Sequence, residues 1–162
     1  MVLFFSGLGF LIFQMYNIEN IIEETNFWKI FALLGFSFGL ICVIFLYKFQ
    51  SYVFNESGRR YSVIFGLKGL TISTASYLNK KNAESEISES KFIIERKSTG
   101  GTKNKSHWIF IKINESQKRF EIKPKLWNEL NSGDEVLLKI QNGSFEYKFV
   151  NEIKPTANTV YN

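Results

Sequence analysis

The sequence contains few of the residues from which catalytic and metal sites are built. Its 162 residues include one cysteine, Cys42, one histidine, His107, and one aspartate, Asp134. A disulfide needs two cysteines, and zinc sites combine several Cys, His or acidic ligands at short spacings. No nucleophile with a neighbouring base and no carboxylate pair can be identified either. We therefore predict a protein that is not an enzyme, with no catalytic residue, no metal ligand and no cofactor.

Charged side chains are also missing from two long runs in the first third of the chain. The runs cover residues 2–16 and 30–47. A helix needs roughly 20 apolar residues to cross a bilayer, so the second run is long enough, whereas the first must use flanking residues or thin the bilayer locally. The sequence predicts helices over about 2–17 and 27–48. Together they form a transmembrane hairpin within residues 1–57.

A cleaved signal peptide is the alternative interpretation of the first apolar run. Such a peptide has basic residues before its apolar stretch and a small-x-small cleavage pattern after it. No Lys or Arg precedes this run, and no such pattern follows Tyr16. We therefore expect the first helix to be retained.

Small residues on the two predicted helices indicate where helices pack. Gly35 and Gly39 are one turn apart on one face of the second helix, which allows another helix backbone to approach closely in lipid. Gly7 and Gly9 provide a small surface on the first helix. Two interpretations remain open: the hairpin packs on itself, or copies of the chain form a homo-oligomer through this face.

The distribution of charge predicts an orientation. Residues 17–26 contain Glu but no Lys or Arg, whereas Lys48, Arg59 and Arg60 follow the second helix. Because Lys and Arg favour the cytoplasmic side, both termini are expected in the cytoplasm with the acidic loop outside. Richness in Asn, Lys and Ile favours a bacterial source, and hence an inner-membrane protein.

The part of the chain after the hairpin is basic. Residues 1–57 carry a formal charge of −2 and the remainder carries +7, from a total of +5. A basic domain tethered to a bilayer is placed to meet anionic lipid headgroups, with Lys48, Arg59 and Arg60 at the membrane surface. The alternative is that these charges only keep the domain soluble.

The hydropathy pattern changes to short alternating segments at Gly58. This period is typical of antiparallel strands, so residues 58–150 are predicted to form a soluble all-β domain, a small barrel or meander of about seven strands with one short helix over Pro124–Leu130. Residues 60–65 and 70–77 are predicted to form its first hairpin. Residues 151–162 are predicted to be a flexible tail.

Two later hairpins have predicted registers. The first joins strands 107–113 and 118–123 through a loop at 114–117, and the second turns at Asn142-Gly143, a dipeptide preferred in type I′ turns. The predicted partners are Ile111 with Phe120, Ile109 with Ile122, Leu138 with Tyr147, and Lys139 with Glu146.

The leading functional hypothesis is a membrane-anchored, non-enzymatic binding or scaffold module. Its basic β domain would lie at the cytoplasmic membrane surface and contact a protein partner or anionic lipid. Nucleic acid is not expected to be a partner, because most aromatic residues are assigned to the membrane helices or to the β core. The alternative is an oligomeric channel or membrane effector or immunity protein, assembled through the helical hairpin.

Overall fold

The computed structural model describes residues 2–49, 56–101 and 105–156. The chain divides into a helical unit, Met1–Ile18 with Glu23–Asn82, and a β unit, Glu19–Ile22 with Ala83–Asn162. Each unit therefore contains a segment that the sequence analysis assigned to the other.

Two helices follow the two apolar runs, as predicted. Helix α1 spans Val2–Glu19 and helix α2 spans Glu24–Phe49. Both are long and apolar enough to cross a membrane. Only 17% and 11% of their most apolar windows are buried, whereas a core helix of a soluble protein is buried over most of its length. Most of their apolar surface therefore faces outward.

A third helix replaces the predicted first β-hairpin. Helix α3 spans Ser57–Lys81, so the strands predicted at 60–65 and 70–77 are wrong. Its buried residues recur every three or four positions, which is the helical period: they are Ile64, Gly66, Gly69, Ile72, Ser73, Ala75, Ser76 and Asn79. Glycine disfavours an isolated helix by about 1 kcal/mol, but here the glycines allow close packing, which outweighs that cost.

Within its described residues, the β unit is a five-stranded antiparallel sheet with the strand order β3-β2-β1-β4-β5. This is fewer than the seven or so strands predicted, and a short helix, α4, separates β3 from β4 as predicted. The elements are β1 Ile87–Gly100, β2 Ser106–Ile113, β3 Ser116–Glu121, α4 Pro124–Glu129, β4 Glu135–Asn142 and β5 Lys148–Pro155. Strands β3, β2, β1 and β4 lie in the order of a Greek key, and an architecture by itself identifies no ligand.

The long strand β1 takes part in both halves of the sheet. Residues 87–93 pair with β4, and residues 94–100 pair with β2 after an irregularity between Ile94 and Arg96. A bulge of this kind bends a strand and increases its twist. The bend lets one apolar core form under both halves: Ile94, Ile109, Ile111, Ile113, Phe120, Ile122, Leu130, Val136, Leu138, Ile140 and Val150.

The β2–β3 hairpin has a tighter turn than the sequence predicts. Asn114 and Glu115 both have positive φ, 47° and 65°, as a two-residue type I′ turn requires. Ile109 therefore pairs with Phe120 and not with Ile122. The predicted register is wrong by two residues. Because side chains alternate with a period of two, the predicted core face is unchanged.

The β4–β5 hairpin has a longer connection than the predicted turn at Asn142-Gly143. Strand β4 continues through Asn142, and β5 begins only at Lys148. Leu138 therefore pairs with Ile153, so the predicted register is wrong here as well. Strand β5 also extends through Pro155, into the predicted tail, whose residues 157–162 lie outside the described residues.

Lys139 pairs with Glu152 and not with Glu146. Its Nζ lies 3.1 Å from Glu152 Oε2. This hydrogen bond raises the pKa of Lys139 and lowers the pKa of Glu152. The charges on this part of the sheet thus neutralise each other.

The short segment between α1 and α2 adds to the edge of the sheet at β5. Ile22 N–H donates to the Lys148 carbonyl over 2.8 Å, and Val150 N–H donates to the Asn20 carbonyl over 3.0 Å. Ile21 bridges to Phe149 and is 1% exposed. In the predicted two-span arrangement this loop and the β domain lie on opposite sides of a bilayer, which these hydrogen bonds do not allow.

Candidate binding surface

The outer face of strands β1, β2 and β3 carries two aromatic rings and two arginines. In β2, Ile109 and Ile111 point into the core and are 0% exposed. Because side chains alternate along a strand, Trp108 and Phe110 lie on the opposite face. Phe110 pairs with Arg96 of β1 on one side and with Arg119 of β3 on the other, so these residues form one row across the sheet.

Each arginine lies over an aromatic ring. The guanidinium carbon of Arg96 is 4.1 Å from the centre of the Phe110 ring, and that of Arg119 is 5.6 Å from the centre of the Trp108 ring. Such cation–π contacts contribute about 0.5–1 kcal/mol at exposed sites. We name this group of four residues, Arg96, Trp108, Phe110 and Arg119, the arginine–aromatic face.

A glycine on the neighbouring strand makes room for the indole. A Cβ on Gly100 would lie 2.5 Å from a Trp108 ring carbon, so any other residue there would displace the ring. Gly100 pairs with Ser106, which is two residues before Trp108. The indole therefore covers the backbone of β1 and extends the flat aromatic surface beyond Phe110.

The arginine–aromatic face differs from the other half of the sheet in its charge. On β4 and β5, Lys139 and Lys154 both lie close to Glu152, at 3.1 and 3.3 Å. Arg96 makes no ion pair within the described parts of the chain. Arg119 has one weak partner, Glu19, at 3.4 Å, and its side chain remains 55% exposed. Arg96 and Arg119 are therefore less compensated by carboxylates than Lys139 and Lys154 are, although Glu121 of β3 lies opposite Trp108.

No family model and no curated protein matches this chain. The assignment of a site therefore rests on its geometry alone.

Three of the four predicted helix-packing glycines contact α3. A Cβ on Gly35 would lie 2.7 Å from Lys68 Cα, and one on Gly39 would lie 2.8 Å from Ile64 Cα. Gly7 meets the backbone of Gly66, whereas a Cβ on Gly9 would meet nothing within 4 Å. The structure thus brings Gly7, Gly35 and Gly39 to α3, a helix that the sequence analysis did not predict.

The predicted membrane-surface basic residues lie at the end of α2 and the start of α3. Lys48 is exposed in the last turn of α2, and Arg59 pairs with Glu56 at 3.2 Å. Arg60 is half-buried beside Ile64 and lines a small hollow in the helical unit. None of these residues belongs to the β unit.

Sequence reasoning missed the arginine–aromatic face. The segment Trp108-Ile109-Phe110-Ile111 is apolar throughout, so its own hydropathy does not separate its two faces. The signal that could have found the site is the alternation of aromatic with β-branched residues, since β-branched side chains fill a core between strands well. Among the residues that the structure describes, no group of three or more His, Cys, Asp or Glu could hold a metal ion.

Proposed function

We propose that this chain is a membrane-anchored, non-enzymatic binding module whose β unit captures an acidic segment of a protein partner on the arginine–aromatic face. The observation that carries the proposal is the pair of exposed arginines that lie over half-buried aromatic rings. Trp, Tyr, Phe and Arg are the residues enriched at the centres of protein interfaces, and a few of them supply most of the binding energy.

Guanidinium groups favour carboxylate partners. A guanidinium that lies flat on a ring still offers its N–H edge to a carboxylate, which it can bind through two parallel hydrogen bonds. The aromatic rings supply apolar area next to that charge. The combination therefore suits a segment that carries acidic and apolar side chains together.

We further propose that α1, α2 and α3 together form a three-span membrane anchor in a bacterial cytoplasmic membrane. Helix α3 has basic residues at both ends and a single charged residue, Lys68, between Arg60 and Lys80. Its 25 residues correspond to about 37 Å, enough to span the hydrocarbon core. It is less apolar than α1 and α2, the two described helices that qualify as spans by length and composition, so its insertion depends on its packing against them. With three spans, the loop at residues 19–22 and the β unit share one side of the membrane, and the N-terminus lies on the other.

The oligomeric channel is the less favoured alternative. An oligomer of this kind requires Gly35 and Gly39 to be free to pack against the helical hairpin of another chain. Both glycines face α3 of the same chain, so this surface is already occupied. We retain the single-chain anchor.

A photo-crosslinking experiment in intact cells tests the binding proposal. A photoreactive phenylalanine analogue at position 110 is expected to form a protein adduct of discrete mass. The Arg96→Glu/Arg119→Glu double variant should lower the adduct yield at least about tenfold, because like charges placed opposite each other cost several kcal/mol.

Lys91 provides the matched control. It is a basic residue of the same strand, β1, but it already pairs with Glu135 at 3.0 Å. The analogue at position 91 should give no such adduct, and a Lys91→Glu substitution should leave the yield at position 110 unchanged. Adducts of equal yield at both positions, or a yield at position 110 that ignores the arginines, would rule the binding face out.

A further inference from the structure

We propose that the helical unit binds a single-chain anionic amphiphile of the fatty-acid type, with its carboxylate at Lys68 and its hydrocarbon chain in an adjoining apolar groove. The groove has a cavity volume of about 230 Å³ and lies within the helical unit. Leu8 and Leu11 of α1, Trp28 of α2, and Phe65 and Ile72 of α3 line it.

Among the described residues that line the groove, Lys68 is the only charged one. It is half-buried, and it makes no hydrogen bond or ion pair within the described residues. The carboxylates of the described part of this unit, Glu23, Glu24 and Glu56, all lie at or beside helix ends. The helical unit therefore supplies the groove with an ammonium group but with no counter-ion.

The depth of Lys68 makes the missing counter-ion significant. Helix α3 spans Ser57–Lys81, so Lys68 lies about 16 Å from one end and about 20 Å from the other at 1.5 Å per residue. Both distances place it inside a hydrocarbon core about 30 Å thick. Charged residues at such depth are costly, and in membrane proteins they are generally paired or mark a functional site.

The size of the groove and the depth of Lys68 indicate which kind of molecule can bind there. An apolar groove of this size takes a flexible hydrocarbon chain, and it is too small for a helix, which is about 10 Å wide. The phosphate of a phospholipid stays in the headgroup layer, beyond the reach of a group at this depth. The carboxylate of a single-chain amphiphile can enter more deeply because no glycerol backbone, second acyl chain or polar headgroup holds it at the interface, and the Lys68 ammonium neutralises its charge.

This inference rests on the membrane insertion proposed above and is independent of the arginine–aromatic face. It is tested with the full chain in phosphatidylcholine nanodiscs, titrated with dibromostearate, whose bromines quench tryptophan only at short range. We expect saturable quenching of the Trp28 emission in the wild-type chain. A Trp28→Phe variant provides the blank and should show no saturable component.

Two comparisons test whether the charges of Lys68 and of the ligand carboxylate contribute to binding. The Lys68→Met variant should bind dibromostearate at least tenfold more weakly than wild type, whereas Lys68→Arg should bind it as wild type does. The control variant Lys48→Met, which removes an exposed lysine at the end of α2, should also bind as wild type does. Dibromostearyl alcohol, which has the same chain without the carboxylate, should bind the wild-type protein at least tenfold more weakly. This comparison of two ligands uses only the wild-type protein, so it remains valid even if a variant fails to fold.

The outcomes separate the two proposals. A chain that does not incorporate into nanodiscs contradicts the membrane anchor. A chain that incorporates, yet shows no Trp28-dependent quenching or binds the acid and the alcohol equally, overturns the amphiphile site alone. Equal saturable quenching by dibrominated phosphatidylglycerol would also overturn it, because the charge would then come from a lipid headgroup.

Discussion

A Gly7→Leu substitution is expected to disrupt the packing of α1 on α3 and to lower the yield of folded protein severely. A side chain on Gly7 would overlap the backbone carbonyl of Gly66, and one on Gly66 would lie 2.6 Å from the Leu3 carbonyl oxygen. Gly69 in turn would meet the Gly7 carbonyl at 2.9 Å. These contacts are with backbone atoms, so no side-chain rotation relieves them.

The expected cost exceeds the usual penalty for overpacking. Extra methylenes in a packed core typically cost 1–3 kcal/mol, when neighbouring side chains can adjust. Here the two helices must separate, and every glycine contact between them is lost. Thermal unfolding in detergent, followed by far-ultraviolet circular dichroism, measures the effect.

Gly9 is a matched control on the same helix. A Cβ on Gly9 would meet no atom within 4 Å. Gly9→Leu adds the same side chain two residues away, and it should unfold at or slightly above the wild-type temperature, because leucine favours a helix more than glycine does. If the two variants unfold alike, α1 does not pack on α3 through Gly7.

A Leu138→Ala substitution is expected to destabilise the β unit by about 2–5 kcal/mol, through the lost burial of the side chain and the cavity left behind. Leu138 is 0% exposed and lies on β4, an interior strand of the sheet, within the common core. Because domains are stable by only about 5–15 kcal/mol, this single change removes a large share of the total. Urea unfolding followed by tryptophan emission measures it, since Trp127 packs against the same core.

Ile93 provides the comparison for that measurement. It belongs to β1, pairs with Glu135, the first residue of β4, and is 63% exposed. Ile93→Ala should change the free energy of unfolding by less than about 0.5 kcal/mol. A Leu138→Ala variant as stable as Ile93→Ala would mean that the core is not assembled as described.

The apolar helices α1 and α2 were predictable because a long uncharged run of residues has few alternative structures. Helix α3 was not, since Gly66, Lys68 and Gly69 together resemble a turn between two short strands. Glycine is unfavourable in an isolated helix, and its advantage arises only when another backbone comes close. That information lies in the partner helices α1 and α2 and not in the local sequence.

The positions of the strands along the sequence were more predictable than the residue-by-residue pairing between them. Hairpin signals located β2, β3 and β4, but pairing depends on where φ becomes positive. In the last hairpin that residue is Glu146, with φ 64°, rather than the Asn142 of the predicted turn. A glutamate carries no strong preference for that conformation, so the longer connection could not be predicted from composition.

The candidate site was hidden for a related reason. Trp108 and Phe110 have the hydropathy of core residues, and only the filling of the core by Ile109 and Ile111 places the rings outside. The arginines that cover them come from β1 and β3, which meet β2 only in the folded sheet. Contacts between side chains on neighbouring strands depend on the pairing register, and the register could not be predicted accurately from the sequence.

Cysteine accessibility in intact cells tests the three-span arrangement most directly. Single cysteines replace Glu23 in the α1–α2 segment, Ser116 in the β2–β3 turn, and Ser57 at the start of α3, each in a Cys42→Ala background. A membrane-impermeant thiol reagent is applied before and after the membrane is opened. Positions 23 and 116 should become labelled together, and position 57 under the opposite condition. Labelling of positions 23 and 116 from opposite sides would contradict the account, because the backbone hydrogen bonds between the α1–α2 segment and β5 could not then exist.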